Sequence, residues 1–157
     1  MTTQIKNGQC VELRAAGAED LPVVMTLLGK AKLPTAGVED PSHYIVAESE
    51  GRLVGVVGLE VYGDSALLRS TAVEQDWQRT GVGRVLVEKA LELARDRGLN
   101  DVFLLTTTAE HYFPRFGFAC VSRDSVAKGV QSSIEFREAC PVSATVMRKS
   151  LRETASP

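Results

Sequence analysis

Residues 78–84 read Gln-Arg-Thr-Gly-Val-Gly-Arg, where an extended apolar segment gives way to a long amphipathic one. A helix starting here has orphan backbone N–H groups and the positive end of its macrodipole at that turn. Gly81 and Gly83 remove the Cβ atoms that would hold a bulky anion away, and Arg79 and Arg84 add charge at the rim. The combination suits a diphosphate. It equally suits a helix start that needs glycines for a tight turn, and spacing alone leaves both readings open. Two phosphate patterns are excluded. No Lys-Ser/Thr follows the second glycine, as a Walker loop requires, and the third glycine of a dinucleotide fingerprint would fall at Leu86.

A second group with chemistry lies just upstream. Gly63-Asp64 between two apolar runs is the Gly-X signature of a tight hairpin. With that turn, Tyr62 pairs with Ser65, Val61 with Ala66 and Glu60 with Leu67. Period-two alternation then puts Glu60, Leu67 and Arg69 on one face, Glu60 diagonal to Arg69. A carboxylate and a guanidinium on apolar strands are costly unless they pair or serve a ligand. The two are therefore a salt bridge or part of a site. In a site, Glu60 orders a water or accepts an amine proton, and Arg69 holds a carboxylate or other oxyanion. A bulge in the second strand would break this register.

The elements that must position these residues follow from periodicity. "CVELRAAG" and "HYIVAES" read as strands, and "AEDLPVVMTLLGKAKLP" as a helix with Leu21, Val24, Met25, Leu27 and Leu28 on its stripe. The helix Val82–Arg97 turns Val85, Leu86, Ala90, Leu93 and Ala94 inward and stops at Gly98. "DVFLLTTT" is a buried strand. "TAEHYFPRFGF" is a short helix opened by a Thr107-x-x-Glu110 capping box and closed at Gly117. Residues 121–141 are polar and irregular, and "SATVMRKSL" is a final strand. The order β-α-β-β-β-α-β-α-β-β predicts an α/β domain on one central mixed, mostly antiparallel sheet flanked by helices. One domain over residues 1–157, with its core at about 10–151, is expected.

A strand ending "TAV", a charged bend, "QRTGVG", a long helix, a strand and a short helix ending "FGF" resemble the GNAT acetyltransferase superfamily. The resemblance runs from about Val11 to Leu151 and is most specific over residues 70–118. It implies a GNAT-like fold, acetyl-CoA as cosubstrate, no metal, and transfer of the acetyl group to a primary amine of a small molecule. Non-catalytic acyl-CoA binding and protein N-acetylation are the alternatives. It also implies that the backbone of Thr71, Ala72 and Val73 meets the pantetheine arm, and that Arg79, Thr80, Gly81, Val82, Gly83 and Arg84 bind the pyrophosphate. Within the superfamily, "LLRSTAV", "FLLTTTAEHYFPRFGF" and "CPVSATVMRKSL" look like the small acetyltransferases of bacterial arsenic-resistance operons; that match does not specify the amine, and an amino acid or amino-acid-like toxic compound is the expected acceptor.

The sequence departs from the family in one place. Many members carry a Tyr four residues before the glycine of the closing "GF", where it protonates the departing thiolate; here that position is Phe113, which has no proton to give. Tyr112 is the adjacent candidate acid, turned away by about 100° on a helix. A mechanism with no side-chain acid is the other reading. His43 reads as a cap or surface residue, and His111 as a surface residue or a base acting through water. Trp77 packs the bend or stacks on an adenine, and Thr106, Thr107 and Thr108 cap a helix or reach coenzyme A.

Composition bounds the rest. Of 157 residues, 44% are hydrophobic and 24% charged, enough for one core, and a net charge of −2 argues against nucleic-acid binding. Cys10, Cys120 and Cys140 lack metal-ligand spacing and are expected as reduced, buried thiols. No apolar run approaches membrane-spanning length, so a cytoplasmic protein is expected, with no membrane partner. A homodimer is among the expectations.

Overall fold

In a computed structural model of the chain, residues 2–4, 9–33, 35, 38, 40–107, 109–131, 133 and 144–151 are described. The chain forms two compact units, one made of residues 1–59 and 70–90, the other of 60–69 and 91–157. Strands are mostly antiparallel with one parallel pair, and helices complete the α/β class expected from the sequence.

In the first unit, β1 (Thr2–Gln4), β2 (Cys10–Ala15), β3 (Tyr44–Ser49) and the first part of β4 (Arg52–Tyr62) lie side by side as antiparallel neighbours. The strand β1 is an addition to the order read from the sequence. Helix α1 (Leu21–Lys30) carries Pro22 in its first turn, where the missing N–H has no intrahelical partner to lose. Val24, Leu27 and Leu28 are buried against Tyr44, Val46, Leu53, Val56 and Ala72. Each such side chain contributes about 1.5–3 kcal/mol of apolar burial. Met25, expected on the stripe, is instead 39% exposed; the buried face is narrower than the run of apolar residues.

Between β3 and β4 the register jumps from Ala47–Gly55 to Glu48–Leu53, so Val54 is an extra, bulged residue. Its carbonyl accepts a hydrogen bond from the Glu74 N–H at 2.8 Å. Beside it, a Cβ on Gly55 would lie 2.9 Å from both Val82 Cγ1 and Leu86 Cδ1. The bare backbone at Gly55 therefore seats the first turns of α2 (Val82–Asp96) directly on β4. That contact sets where the glycine turn stands. Helix α2 buries Val82, Leu86, Val87, Ala90, Leu91 and Ala94, while Val85 and Leu93 are half-buried. The inward face is thus rotated from the expected one, following the i, i+4 ladder that starts at Val82.

In the second unit, β4 ends at Tyr62, Gly63 and Asp64 turn, and β5 (Ser65–Val73) begins, as the Gly-X signature predicts. The parallel ladder of β5 with β6 (Asp101–Thr106) pairs Ser65 with Asp101, Ala66 with Val102 and Leu67 with Phe103. Strand β6 runs antiparallel to β8 (Thr145–Ser150), which pairs with the short β7 (Ala119–Cys120). Leu67, Phe103 and Leu105 form a core with Val126, Val130, Ala144 and Val146. Val130 belongs to α3 (Lys128–Gln131), the one α-helical turn among the described residues of the irregular segment.

Two expectations are corrected. The helix predicted over 107–117 is a 3-10 turn, Phe113–Phe116, closed by Gly117. Pro114 cannot donate to a longer helical ladder. Thr106 Oγ1 accepts from the Ala109 N–H at 2.9 Å ahead of the turn, while the turn's own N-cap, Tyr112, makes no side-chain capping bond and Thr107 is exposed. Cys10 and Cys120 are free and exposed rather than buried. Cys10 stands on the polar face of a strand whose other face is Val11 and Leu13, and Cys120 on a two-residue strand whose residues are both exposed. Cys140 and Thr108 lie outside the described residues.

Candidate functional site

The first unit carries the glycine turn. A 3-10 turn, Gln75–Trp77, leads into it. Arg79 has φ 66 and Gly81 φ 99, so two residues within three adopt the left-handed region. For a non-glycine residue such as Arg79 that geometry costs on the order of 1–3 kcal/mol, and such strain gathers at functional sites. Thr80 between them is buried and donates its hydroxyl hydrogen to the Trp77 carbonyl, which holds the turn from inside. The first bond of the α2 ladder runs from Val85 N–H to the Gly81 carbonyl at 3.1 Å. The N–H groups of Val82, Gly83 and Arg84 stand ahead of that ladder. No atom lies within 4 Å of where a Gly81 Cβ would be, so the space over the turn is open. Arg79 and Arg84 are exposed beside it.

The strand end that precedes the turn has Ala72 buried and Thr71 and Val73 half-buried. The Gln78 side-chain amide donates to the Val73 carbonyl at 3.3 Å. Trp77 is half-buried. It lines a cavity of about 380 Å³ with residues of 9–12 and 48–50.

The second unit carries the charged pair. Arg69 Nη1 lies 3.3 Å from Glu60 Oε2, and the two side chains are 1% and 8% exposed. The alternation that put Glu60 and Arg69 on one face therefore holds. Ser70, the residue after Arg69, has φ 58, so the strand's irregularity comes just past the residues that needed the register. The other carboxylate oxygen, Glu60 Oε1, accepts a hydrogen bond from the Tyr62 hydroxyl at 2.5 Å. Tyr62 is the functional candidate that the sequence reading passed over. The signal was present, since Tyr62 is two residues from Glu60 on the same strand and hence on the same face.

Tyr112 sits at the entry to the 3-10 turn. Its ring meets Phe113 edge-on at 5.2 Å and Phe116 at 5.4 Å, and the Arg115 guanidinium lies 4.5 Å over it. Phe113 is buried. The His111 side chain is 96% exposed, with Nε2 4.0 Å from Glu110. His43 closes a 3-10 turn in the first unit, 3.6 Å from Asp40. Among the described residues no three His, Cys, Asp or Glu side chains gather as a metal site, and no helix is long and apolar enough to cross a membrane.

A helix start with two left-handed residues, built after a strand and a charged bend, defines a class that comparison with known proteins identifies. The sequence model of the Acetyltransferase (GNAT) family matches residues 18–118, and the chain belongs to that family. An uncharacterized N-acetyltransferase of Chlorobaculum tepidum is 32% identical over 88 residues, covering 55% of this chain and 56% of its own. An amino-acid acetyltransferase of Mannheimia succiniciproducens is 24% identical over 136 residues, covering 80% of this chain and 31% of its own. The chain thus spans about half the length of the first relative and under a third of the second. A Mycobacterium tuberculosis protein solved in complex with CoA and NLQ superposes with a TM-score of 0.77 at 25% identity, covering 90% of this chain and 99% of that one.

Proposed function

We propose that the chain is one acetyltransferase domain, with its core at about residues 10–151, that moves the acetyl group of acetyl-CoA to a primary amine of a small molecule. The observation that carries this reading is the turn at Arg79–Arg84: open space over Gly81, three N–H groups ahead of the α2 ladder, and two exposed arginines. These residues fit a pyrophosphate, which gains from N–H donors, the helix dipole and flanking positive charge together. The family membership and the solved relative in complex with CoA support the same cosubstrate. Thr71, Ala72 and Val73 are assigned the pantetheine arm on the family resemblance. The β5–β6 ladder stops at Leu67, short of these residues.

When bound, acetyl-CoA supplies an activated thioester carbonyl. The protein's part is to hold the amine in line with that carbon, take up its proton and stabilise the charge that develops on oxygen. Glu60 is assigned the proton and Arg69 the acceptor's anionic group, with Tyr112 the candidate acid toward the thiolate. An amino acid or amino-acid-like toxic compound is the proposed acceptor. The relative named for amino-acid acetylation supports it. A cytoplasmic location and a homodimer belong to the same proposal. One observation favours a second reading, a non-catalytic acyl-CoA-binding module: buried Phe113 occupies the acid position.

A thermal-shift screen tests the reading. Coenzyme A should raise the melting temperature, and amino acids or their phosphorus and arsenic analogues should raise it further. A ligand at 100 times its Kd stabilises the folded state by about 2.7 kcal/mol, well above detection. No shift with coenzyme A at millimolar concentration would defeat the proposal.

A further inference from the structure

Both carboxylate oxygens of Glu60 are engaged in this arrangement. Oε1 receives the Tyr62 hydroxyl at 2.5 Å, Oε2 faces Arg69 Nη1 at 3.3 Å, and the carboxylate side chain is 8% exposed. Arg69 is more deeply buried still, at 1%. Tyr62, by contrast, is half-buried, and so is the most exposed member of the trio. Its 2.5 Å contact lies at the short end expected for a hydroxyl on a carboxylate. The residue is also braced from behind. A Cβ on Gly129 of α3 would stand 2.9 Å from Tyr62 Cβ, so α3 rests directly on this tyrosine.

We propose that Tyr62 is a catalytic residue, the group through which the buried Glu60–Arg69 pair reaches the acceptor amine; this rests on the acetyltransferase reading above. As the amine nitrogen bonds to the acetyl carbon and the carbon–sulfur bond breaks, the sulfur leaves with the electron pair. One N–H proton passes to the Tyr62 phenol oxygen while the phenol proton passes to Glu60 Oε1. Glu60 is then the terminal acceptor, and the contact of Arg69 Nη1 with its Oε2 keeps Oε1 aimed at the phenol. Direct uptake by Glu60 would require its contacts with Tyr62 and Arg69 to open.

The test is a double-mutant cycle on Tyr62→Phe and Glu60→Gln, reading kcat for amine-dependent thiol release, with coenzyme A affinity as a folding control. The relay predicts that each single variant loses about a hundredfold or more in kcat, the range for general acid–base groups. It further predicts that the double variant loses no more than the worse single. A Tyr62→Phe kcat within threefold of the parent, or losses that multiply in the double variant, would overturn it. Should Tyr62→Phe fail to fold, 3,5-difluorotyrosine at position 62 keeps the ring and hydroxyl while acidifying the phenol. The relay then predicts a displaced pH–kcat profile, and an unmoved profile overturns it. Wild-type protein that turns over no amine would sink both the acetyltransferase reading and the relay. Normal wild-type turnover with silent Tyr62 variants would sink the relay alone.

Discussion

Arg69 Nη1 faces Glu60 Oε2 at 3.3 Å with almost no water around either side chain. Removing one partner strands a buried charge, which costs about 3–5 kcal/mol. Arg69→Ala should therefore melt well below the parent. Because Arg69 is also assigned the acceptor's anionic group, kcat/KM for an anionic acceptor should fall by the equivalent of about 1.5–3 kcal/mol, with the KM for acetyl-CoA little changed. Melting curves and both KM values on Arg69→Ala and Glu60→Gln check this. Equal stability losses with unchanged kinetics per folded molecule would make the pair structural only.

Gly83→Val should weaken coenzyme A binding at least tenfold while leaving the fold intact. Valine is a better residue than glycine inside a helix by a few tenths of a kcal/mol, so helix propensity favours the change. The branched side chain would instead occupy the anion's place in the first turn. Calorimetric titration with coenzyme A gives the answer, and parental affinity would remove the turn from the site. At Gly81 the outcome differs: φ 99 strains any side chain, so Gly81→Val loses stability as well.

Tyr112→Phe should keep at least a tenth of the turnover. Its ring is already packed against Phe113, Phe116 and Arg115, contacts that a phenylalanine preserves. A loss of a hundredfold or more, measured as steady-state kcat, would mean that Tyr112 acts as the general acid in place of the tyrosine missing at position 113.

The buried Asp20 carboxylate is titrated below its ordinary range, chiefly by hydrogen bonds from Arg14 at 2.7 and 3.0 Å and then by the Gly17 N–H. A carboxylate whose folded pKa is depressed stabilises the fold above its unfolded pKa, and that stability is lost as pH falls through the folded value. Asp20→Asn should cost about 1.5–3 kcal/mol at pH 7, the worth of charge-assisted hydrogen bonds. As pH falls through the depressed folded pKa of Asp20, the two proteins should converge. Denaturant melts in a descending pH series from 7 test it; a difference between the two proteins that does not shrink at all as the pH falls below the ordinary carboxylate range would contradict the assignment.

What the sequence made legible was local. The Gly63-Asp64 turn and period-two alternation suffice to bring Glu60 and Arg69 together, because neither depends on anything beyond a dozen residues. Tyr62 needed only the same alternation. The Val54 bulge is different in kind: it exists because Glu74 N–H, twenty residues on, takes the Val54 carbonyl. Likewise, the left-handed Ser70 and Arg79 carry no glycine to announce them. The cysteines misled because thiols are counted as apolar, whereas strand alternation at Val11 and Leu13 already put Cys10 on the outer face. The short helix expected at 107–117 shrinks to a 3-10 turn because Pro114, which cannot donate to an α-helical ladder, stands inside it.

The central claim is acetyl transfer to a small amine, and steady-state release of free coenzyme A thiol tests it most directly. Purified protein with acetyl-CoA is assayed against amino acids, their phosphorus and arsenic analogues, and polyamines. The account predicts that at least one amino-acid-like acceptor raises thiol release well above the acceptor-free rate, and that Gly83→Val lowers the increase at acetyl-CoA below the parent's KM. Tight binding of acetyl-CoA with no amine-dependent release across the panel would contradict it and leave a non-catalytic acyl-CoA-binding module.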